Sequence, residues 1–309
     1  MKIYISGSIA YDRIMDFPDK FANHILPEKL HILNVCFLVN HLEEKFGGTA
    51  GNIAYSLSLL GENPIILSTV GNDFEKYKHW MEKHGLSLEG IKVVKDVPTA
   101  SAYIMTDRKD NQITAFNPGA MNFSTNGDSA SIIEQECLAI VSPGNLEDMQ
   151  KYPAIYRKKG IPFIFDPGQN IPAFSGDQLK DMIKGSKSLI VNDYELSLVM
   201  DSTGLDKAQL LELTDSIVTT LGDAGSRISF DEQEIEVPAV QVENPVDPTG
   251  AGDAFRSGFL KGLIQSKSIV EAAKMGSTCA SFSVEHLGTQ AHSFTRDEFW
   301  DRYHKNFKG

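Results

Sequence analysis

Cysteine is scarce in this chain: Cys36, Cys137 and Cys279 stand far apart in 309 residues. No CxxC pair exists, so a zinc knuckle is not indicated, and an odd, sparse count fits a reducing compartment. Positive charge is also short. Against 41 Asp and Glu there are 29 Lys and Arg, a net charge of −12, which argues against a protein that tracks nucleic-acid backbones. No apolar run approaches the length of a membrane span. The segment Met1–Gly7 reads as a strand entering a turn, without the apolar core and cleavage site of a signal peptide. The expected location is therefore the cytoplasm. Two phosphate-binding signatures are missing as well. There is no GxxxxGK[ST] loop, and the one candidate dinucleotide fingerprint has Phe255 where its third glycine is needed. The eight histidines are scattered, and His79 and His84, five apart, do not stack on one helix face.

What is present begins with enough apolar residues, 41%, for one large α/β domain. The most informative stretch is Val246-Asp247-Pro248-Thr249-Gly250-Ala251-Gly252-Asp253-Ala254-Phe255. Small residues crowd a turn, an acid follows, and an apolar run starts at once, which describes a tight loop opening a helix. The backbone N–H groups of Gly250, Ala251 and Gly252 at such a terminus suit phosphate or a developing oxyanion. Asp253 stands where a base is wanted, so the segment points to phosphoryl transfer. The same residues would also serve a plain turn whose acid complements the helix dipole. In so acidic a chain, an anionic substrate such as ATP would have to be held by local devices: helix termini, Mg²⁺ and a few basic residues.

From about Leu138 onward, apolar runs alternate with amphipathic helical stretches. Leu138–Val141, Pro162–Phe165, Leu189–Val191 and Ile217–Thr220 each stop at polar or glycine residues, and Leu146–Lys159 is helix-like despite Pro153. This pattern predicts a mostly parallel sheet flanked by helices. Ligands then bind beyond the carboxyl ends of the strands, so Asp166, Gln169, Asn192, Glu195, Thr220, Gly222 and the loop before Asp253 should converge on one edge. The first 125 residues differ. A helix over Ala50–Leu60 follows Phe46-Gly47-Gly48-Thr49, and a strand follows at Pro64–Val70. Asp16–Leu42 and Thr99–Ala115 lack helical periodicity. Alternation at Ile32, Val35, Phe37 and Val39, and at Tyr103, Met105 and Ile113, predicts strands of a small second sheet, a lid beside the cleft; ordinary surface loops are the alternative.

These motifs resemble the ribokinase-like (PfkB) carbohydrate kinase family. Asp247–Asp253 is similar to its DxTGAGD signature, Gly47-Gly48-Thr49-Ala50-Gly51-Asn52 to its glycine-pair signature, Asn192-Asp193-Tyr194-Glu195 to its N-x-x-E motif, and Thr220–Gly225 to its T-x-G-x-x-G nucleotide loop. Within the family the chain resembles bacterial adenosine kinases through Gly7-Ser8-Ile9-Ala10 with Asp12, Asn117-Pro118-Gly119-Ala120-Met121 and Asp253–Leu260, among others. The resemblance implies one ribokinase-like domain over 1–309 with lid segments at about 13–45 and 97–118. It implies an ATP- and Mg²⁺-dependent phosphorylation of the 5′-hydroxyl of adenosine to AMP, a homodimer through the lid, and, in parts of the family, K⁺. A ribokinase-like sugar kinase and a non-catalytic nucleoside sensor are the alternatives.

The implied roles follow residue by residue. Asp253 is the base, and Gly250, Ala251 and Gly252 form the anion hole. Ser8, Asp12, Gly47, Gly48 and Asn52 meet the ribose, Phe116 stacks on the purine, and Gln169 meets substrate or phosphate. Asn192, Thr220, Gly222, Gly225 and Arg256 hold ATP, and Glu195 organises Mg²⁺ through water. One departure stands out: an aromatic residue is expected near position 102, where this chain has Ala102 followed by Tyr103.

Overall fold

The computed structural model describes residues 1–109, 111–125 and 131–307. Ile3, Tyr4 and Ile5 in β1 (Lys2–Ser6) are all buried, as a strand with no wet face must be inside a sheet covered on both sides. The main sheet has nine strands. Besides β1 it contains β4 (Ile65–Val70), β5 (Ile91–Val93), β8 (Cys137–Val141), β9 (Phe163–Phe165), β10 (Ser188–Asn192), β11 (Ile217–Thr220), β12 (Ser226–Phe230) and β13 (Gln233–Val237). Their order is β13-β12-β11-β10-β9-β8-β1-β4-β5. Neighbours from β5 to β11 pair parallel, whereas β11, β12 and β13 pair antiparallel. Period-two alternation divides the core. Ile3 and Ile5 pack with Ile53 and Leu57 of the helix Thr49–Leu59 and Phe255 and Phe259 of the helix Ala251–Ile264. Tyr4 packs on the other face with Met149, Tyr152 and Tyr156 of the helix Leu146–Lys159. Among the described residues, no helix is long and apolar enough to cross a membrane.

The second sheet has four strands, in the order β3 (His41–Gly47), β2 (Ala10–Asp16), β6 (Ala100–Thr106), β7 (Gln112–Asn117). Its register aligns Lys45, Asp12, Ala102 and Phe116 in one row. Residues directly opposite across strands share a face, so these four side chains lie on one side of the sheet. Arg13, Glu44 and Tyr103 form the adjacent row on the other side.

The small sheet is therefore present, but one of its expected strands is not. Ile32 ends the 3₁₀ helix Pro27–Ile32, and Val35, Phe37 and Val39 fall in irregular backbone, while β2 and β3 lie at the two ends of the expected stretch. Side chains hold this loop in place of a ladder. Phe37 packs edge-on against Phe17 and Phe21 at centroid distances of 4.9 and 5.3 Å, and buried Asp107 accepts the Phe21 N–H at 2.9 Å.

Candidate active site

The strands β9, β10 and β11 all point their carboxyl ends at one cleft of about 880 Å³, lined by Asp166, Gln169, Asn192, Glu195, Thr220, Gly222 and Gly225. Gly250, Ala251, Gly252, Asp253 and Arg256 line the same cleft, as the strand-end rule for such sheets requires.

The turn before Asp253 is shaped by Asp247. Its Oδ1 accepts the Thr249 N–H and its Oδ2 the Gly288 N–H, both at 2.9 Å. Gly250 sits at φ 81°, a left-handed conformation open to glycine. Ala251 N–H turns back to Pro248 O at 3.1 Å, and Ala254 N–H opens the helical ladder on Gly250 O at 2.9 Å. The amide of Ala251 is thus already engaged, whereas those of Gly250 and Gly252 have no backbone acceptor among the described residues.

Asp253 accepts Asn52 Nδ2–H on its Oδ2 at 2.8 Å. Burial pushes its carboxyl above the ordinary range, and the Arg256 guanidinium and then the Asn52 bond pull it back. Arg256 is itself buried and forms an ion pair with buried Asp166, Nη2 donating to Oδ1 at 2.7 Å and Nε facing the other oxygen. Burial raises Asp166 to about 6 against the pull of Arg256. Burial would lower Arg256, but Asp166, Asp253 and Glu195 together outweigh it and keep the guanidinium charged. Its free edge faces the glycine turn, since a Cβ on Gly252 would lie 2.9 Å from Nη1.

At the other end of the site, the glycine pair is demanded by the protein's own packing. A Cβ on Gly47 would stand 2.4 Å from Asp12 Oδ2, and one on Gly48 (φ 87°) 2.6 Å from Ala10 N and Ser8 O. Burial raises the Asp12 carboxyl to about 6, Asp253 adds to that, and Lys45 opposes it. Ser8 is buried and spends its hydroxyl on the Thr49 N–H at 3.1 Å, at the start of a helix. Phe116 is half-exposed on the Asp12 face, two strand spacings, about 10 Å, from Asp12. Ala102 between them leaves the floor low. Tyr103 offers no second wall on that face, because it points to the other side and its hydroxyl accepts from Arg13 Nη1 at 2.8 Å.

Asn192 and Glu195 form a reciprocal helix cap. Glu195 N–H donates to Asn192 Oδ1 at 2.7 Å and Asn192 N–H to Glu195 Oε2 at 2.8 Å, which leaves one Glu195 oxygen for other partners. Among the described residues, no group of three or more His, Cys, Asp or Glu could enclose a metal ion. The remaining Glu195 oxygen suits a Mg²⁺ that is met through water and held mainly by phosphate. Sequence reasoning missed Tyr77, Trp80 and Gln290, which meet behind Asn52. The sequence offers only a glutamine shortly after Gly288 as a local signal.

The chain is similar to known proteins over almost its whole length. Nucleoside kinase of Methanocaldococcus jannaschii is 30% identical over 291 residues, covering 90% of this chain and 92% of that protein. The structure of Burkholderia thailandensis nucleoside kinase in complex with inosine superposes with a TM-score of 0.86 at 38% identity, covering 99% and 98% of the two chains. The same enzyme in complex with ADP-inosine gives 0.83 at 39%, covering 99% and 96%. Residues 22–296 match the pfkB family carbohydrate kinases, a span that takes in the glycine pair, the strand-end cleft and Asp253, and the chain belongs to that family.

Proposed function

We propose that the chain is an ATP-dependent nucleoside kinase that phosphorylates the 5′-hydroxyl of adenosine. The observation that carries this reading is the shared row of Asp12, Ala102 and Phe116, whose Asp12 is close enough to Asp253 to feel its charge. A ribose fits over Asp12 and Gly47, with its base toward Phe116 and its 5′-hydroxyl toward Asp253. Asp253 accepts the hydroxyl proton as the oxygen attacks the γ-phosphorus. The bond to the bridging oxygen breaks, and ADP leaves. Charge on the transferring group meets the Gly250 and Gly252 amides and the free edge of Arg256. Thr220, Gly222 and Gly225 border the nucleotide, and Gln169 the transferring phosphate. Mg²⁺, met through water by Glu195, supplies charge neutralisation on the phosphates when bound; K⁺ is the second cation to vary in the same assay. Support comes from relatives of like length that are nucleoside kinases, one of them in complex with inosine.

The test is ADP release with adenosine, inosine and ribose as acceptors. Stacking on Phe116 alone distinguishes the 6-amino from the 6-oxo purine weakly, so inosine is the first competitor. Adenosine turnover at the highest kcat/KM supports the reading. A preference for inosine corrects the acceptor, and a preference for ribose overturns the nucleoside assignment.

We propose further that the enzyme is a homodimer through the small sheet. Leu42, Tyr103 and Ile113 are exposed on its face away from Asp12, an apolar surface that a second copy would cover. Light scattering that gives the monomer mass at micromolar concentration refutes this.

A further inference from the structure

We propose that Gln290 is a positioning residue that fixes the Asn52 amide against Asp253, and that the indole of Trp80 sets the direction of the whole hydrogen-bond chain. The inference deepens the kinase reading and rests on it for the role of Asp253. An amide side chain can present either its oxygen or its nitrogen, so something must decide which end of Asn52 meets the carboxylate. An indole N–H can only donate. Trp80 Nε1–H donates to Gln290 Oε1 at 3.0 Å, which turns the Gln290 nitrogen the other way. That nitrogen donates to Asn52 Oδ1 at 2.9 Å and to Tyr77 Oη at 2.6 Å. Tyr77, having accepted, gives its own hydrogen to Gly47 O at 2.8 Å. Asn52 Oδ1 is then occupied, and Nδ2 faces Asp253. If Asn52 turned over, an amide oxygen would face a carboxylate and two sets of N–H groups would face each other.

The chain is a built feature. Asn52, Tyr77 and Gln290 are all buried. Tyr77 and Trp80 lie three apart on the helix Glu75–Lys83, hence on one face. Gly51 is what lets the helix Thr49–Leu59 approach them, because a Cβ there would stand 2.1 Å from Tyr77 Oη and 3.2 Å from Gln290 Nε2. The network therefore ties the carbonyl of Gly47, under the proposed sugar site, to the orientation of the group beside the proposed base.

The charged groups around Asp253 are Arg256 on its own helix, Asp12 from β2 and Asp166 after β9, with Lys45 of β3 acting on Asp12. None of them is altered in the test. Gln290→Met removes both the acceptor and the donors at nearly constant volume. Trp80→Phe removes only the donor that orients Gln290. In Gln290→Met the acid limb of the kcat/KM profile should move up by about one pH unit, the tenfold change that loss of one charge-assisted hydrogen bond gives. KM for ATP should stay within about twofold. Trp80→Phe should move the limb in the same direction by less. The titration of the [¹³C]Asp253 carboxyl, assigned by its disappearance in Asp253→Asn, should follow without any substrate present. If Gln290→Met does not fold, Trp80→Phe decides alone. An unmoved acid limb and an unmoved carboxyl titration in a folded variant overturn the proposal. Absence of nucleoside-dependent turnover in the wild type would instead defeat the kinase reading, while the carboxyl titration would still judge Gln290.

Discussion

Replacing Asp253 by Asn separates chemistry from architecture. The new amide keeps an oxygen to accept the Asn52 Nδ2–H that Asp253 now accepts at 2.8 Å, so the Asn52 contact survives. What disappears is the basic oxygen. A positioned general base contributes about 10²–10⁴-fold, or ~3–5 kcal/mol of transition-state stabilisation; kcat should fall by that factor. Adenosine affinity, measured by titration calorimetry, should stay within about threefold, because the base acts in the transition state and not in ground-state binding. Stability should move the other way. The folded-state carboxyl of Asp253 lies above its ordinary pKa because of burial. Keeping it ionised therefore costs folding free energy above the ordinary value, and a neutral amide removes that cost. A thermal melt at pH 7.5 should show the variant at least as stable as the wild type. A kcat within tenfold of wild type would refute Asp253 as the base. A loss of activity accompanied by a lower melting temperature and lost adenosine binding would refute the argument that the carboxylate is held at a cost.

Phe116→Ala should weaken adenosine binding by about 1–3 kcal/mol, the range for base–aromatic stacking, with KM for ATP unchanged; unaltered adenosine affinity would place the base elsewhere. Gly47→Ala puts a methyl 2.4 Å from Asp12 Oδ2, so the carboxylate must move, and nucleoside KM should rise at least about tenfold with the melting temperature lowered. A variant with wild-type KM would show that Asp12 does not touch the acceptor. Asp12→Asn tests the sign of its raised pKa. At about 6 in the folded protein against an ordinary 3.8, Asp12 binds its proton more tightly when folded. The stability from that proton is complete below the ordinary value and is lost as pH rises toward about 6. The variant should therefore gain more stability over wild type in urea melts at pH 7.5 than at pH 4.5, and an equal or opposite difference would contradict the buried placement of Asp12.

The strands β8 to β11 were legible because their signal is local: a short apolar run stopped by polar residues marks a buried parallel strand, and its end marks the ligand edge. Strand ends alone therefore predict that Asp166, Gln169, Asn192, Glu195, Thr220 and Gly222 converge, and all six line one cleft. The loop between β2 and β3 misled for the same local reason. Its alternating Ile32, Val35, Phe37 and Val39 mimic a strand, but Phe37 is bound to Phe17 and Phe21 in an aromatic cluster. Partnerships across great sequence distance were not legible at all. Arg256 read as a phosphate ligand, and its bond to Asp166, 90 residues away, has no trace in either segment. Gln290 and Asn52 are separated by 238 positions, and nothing in their neighbours' periodicity joins them. The glycine pair was legible as a need for closeness, but not as to what: Gly47 makes room for Asp12 and Gly48 for the backbone of Ser8 and Ala10.

The site also poses an electrostatic problem that the fold meets in a particular way. The charge of Asp253 pushes Asp12 up, and Coulomb interaction is mutual, so an ionised Asp12 makes Asp253 harder to ionise and more basic once it is. Lys45 opposes this from beside Asp12, and Arg256 from beside Asp253. Arg256 is itself divided between Asp253 and Asp166, so it does not extinguish the base. On the proposed function, ribose hydroxyls that donate to Asp12 favour its ionised form. At pH values near and below about 6, where Asp12 is partly protonated, the more fully charged Asp12 then raises the basicity of Asp253 as the 5′-hydroxyl arrives. Acceptor binding and base strength are thereby coupled through two carboxylates, one on the small sheet and one on the helix Ala251–Ile264, and the coupling requires that the small sheet keep the register that places Asp12 over Gly47.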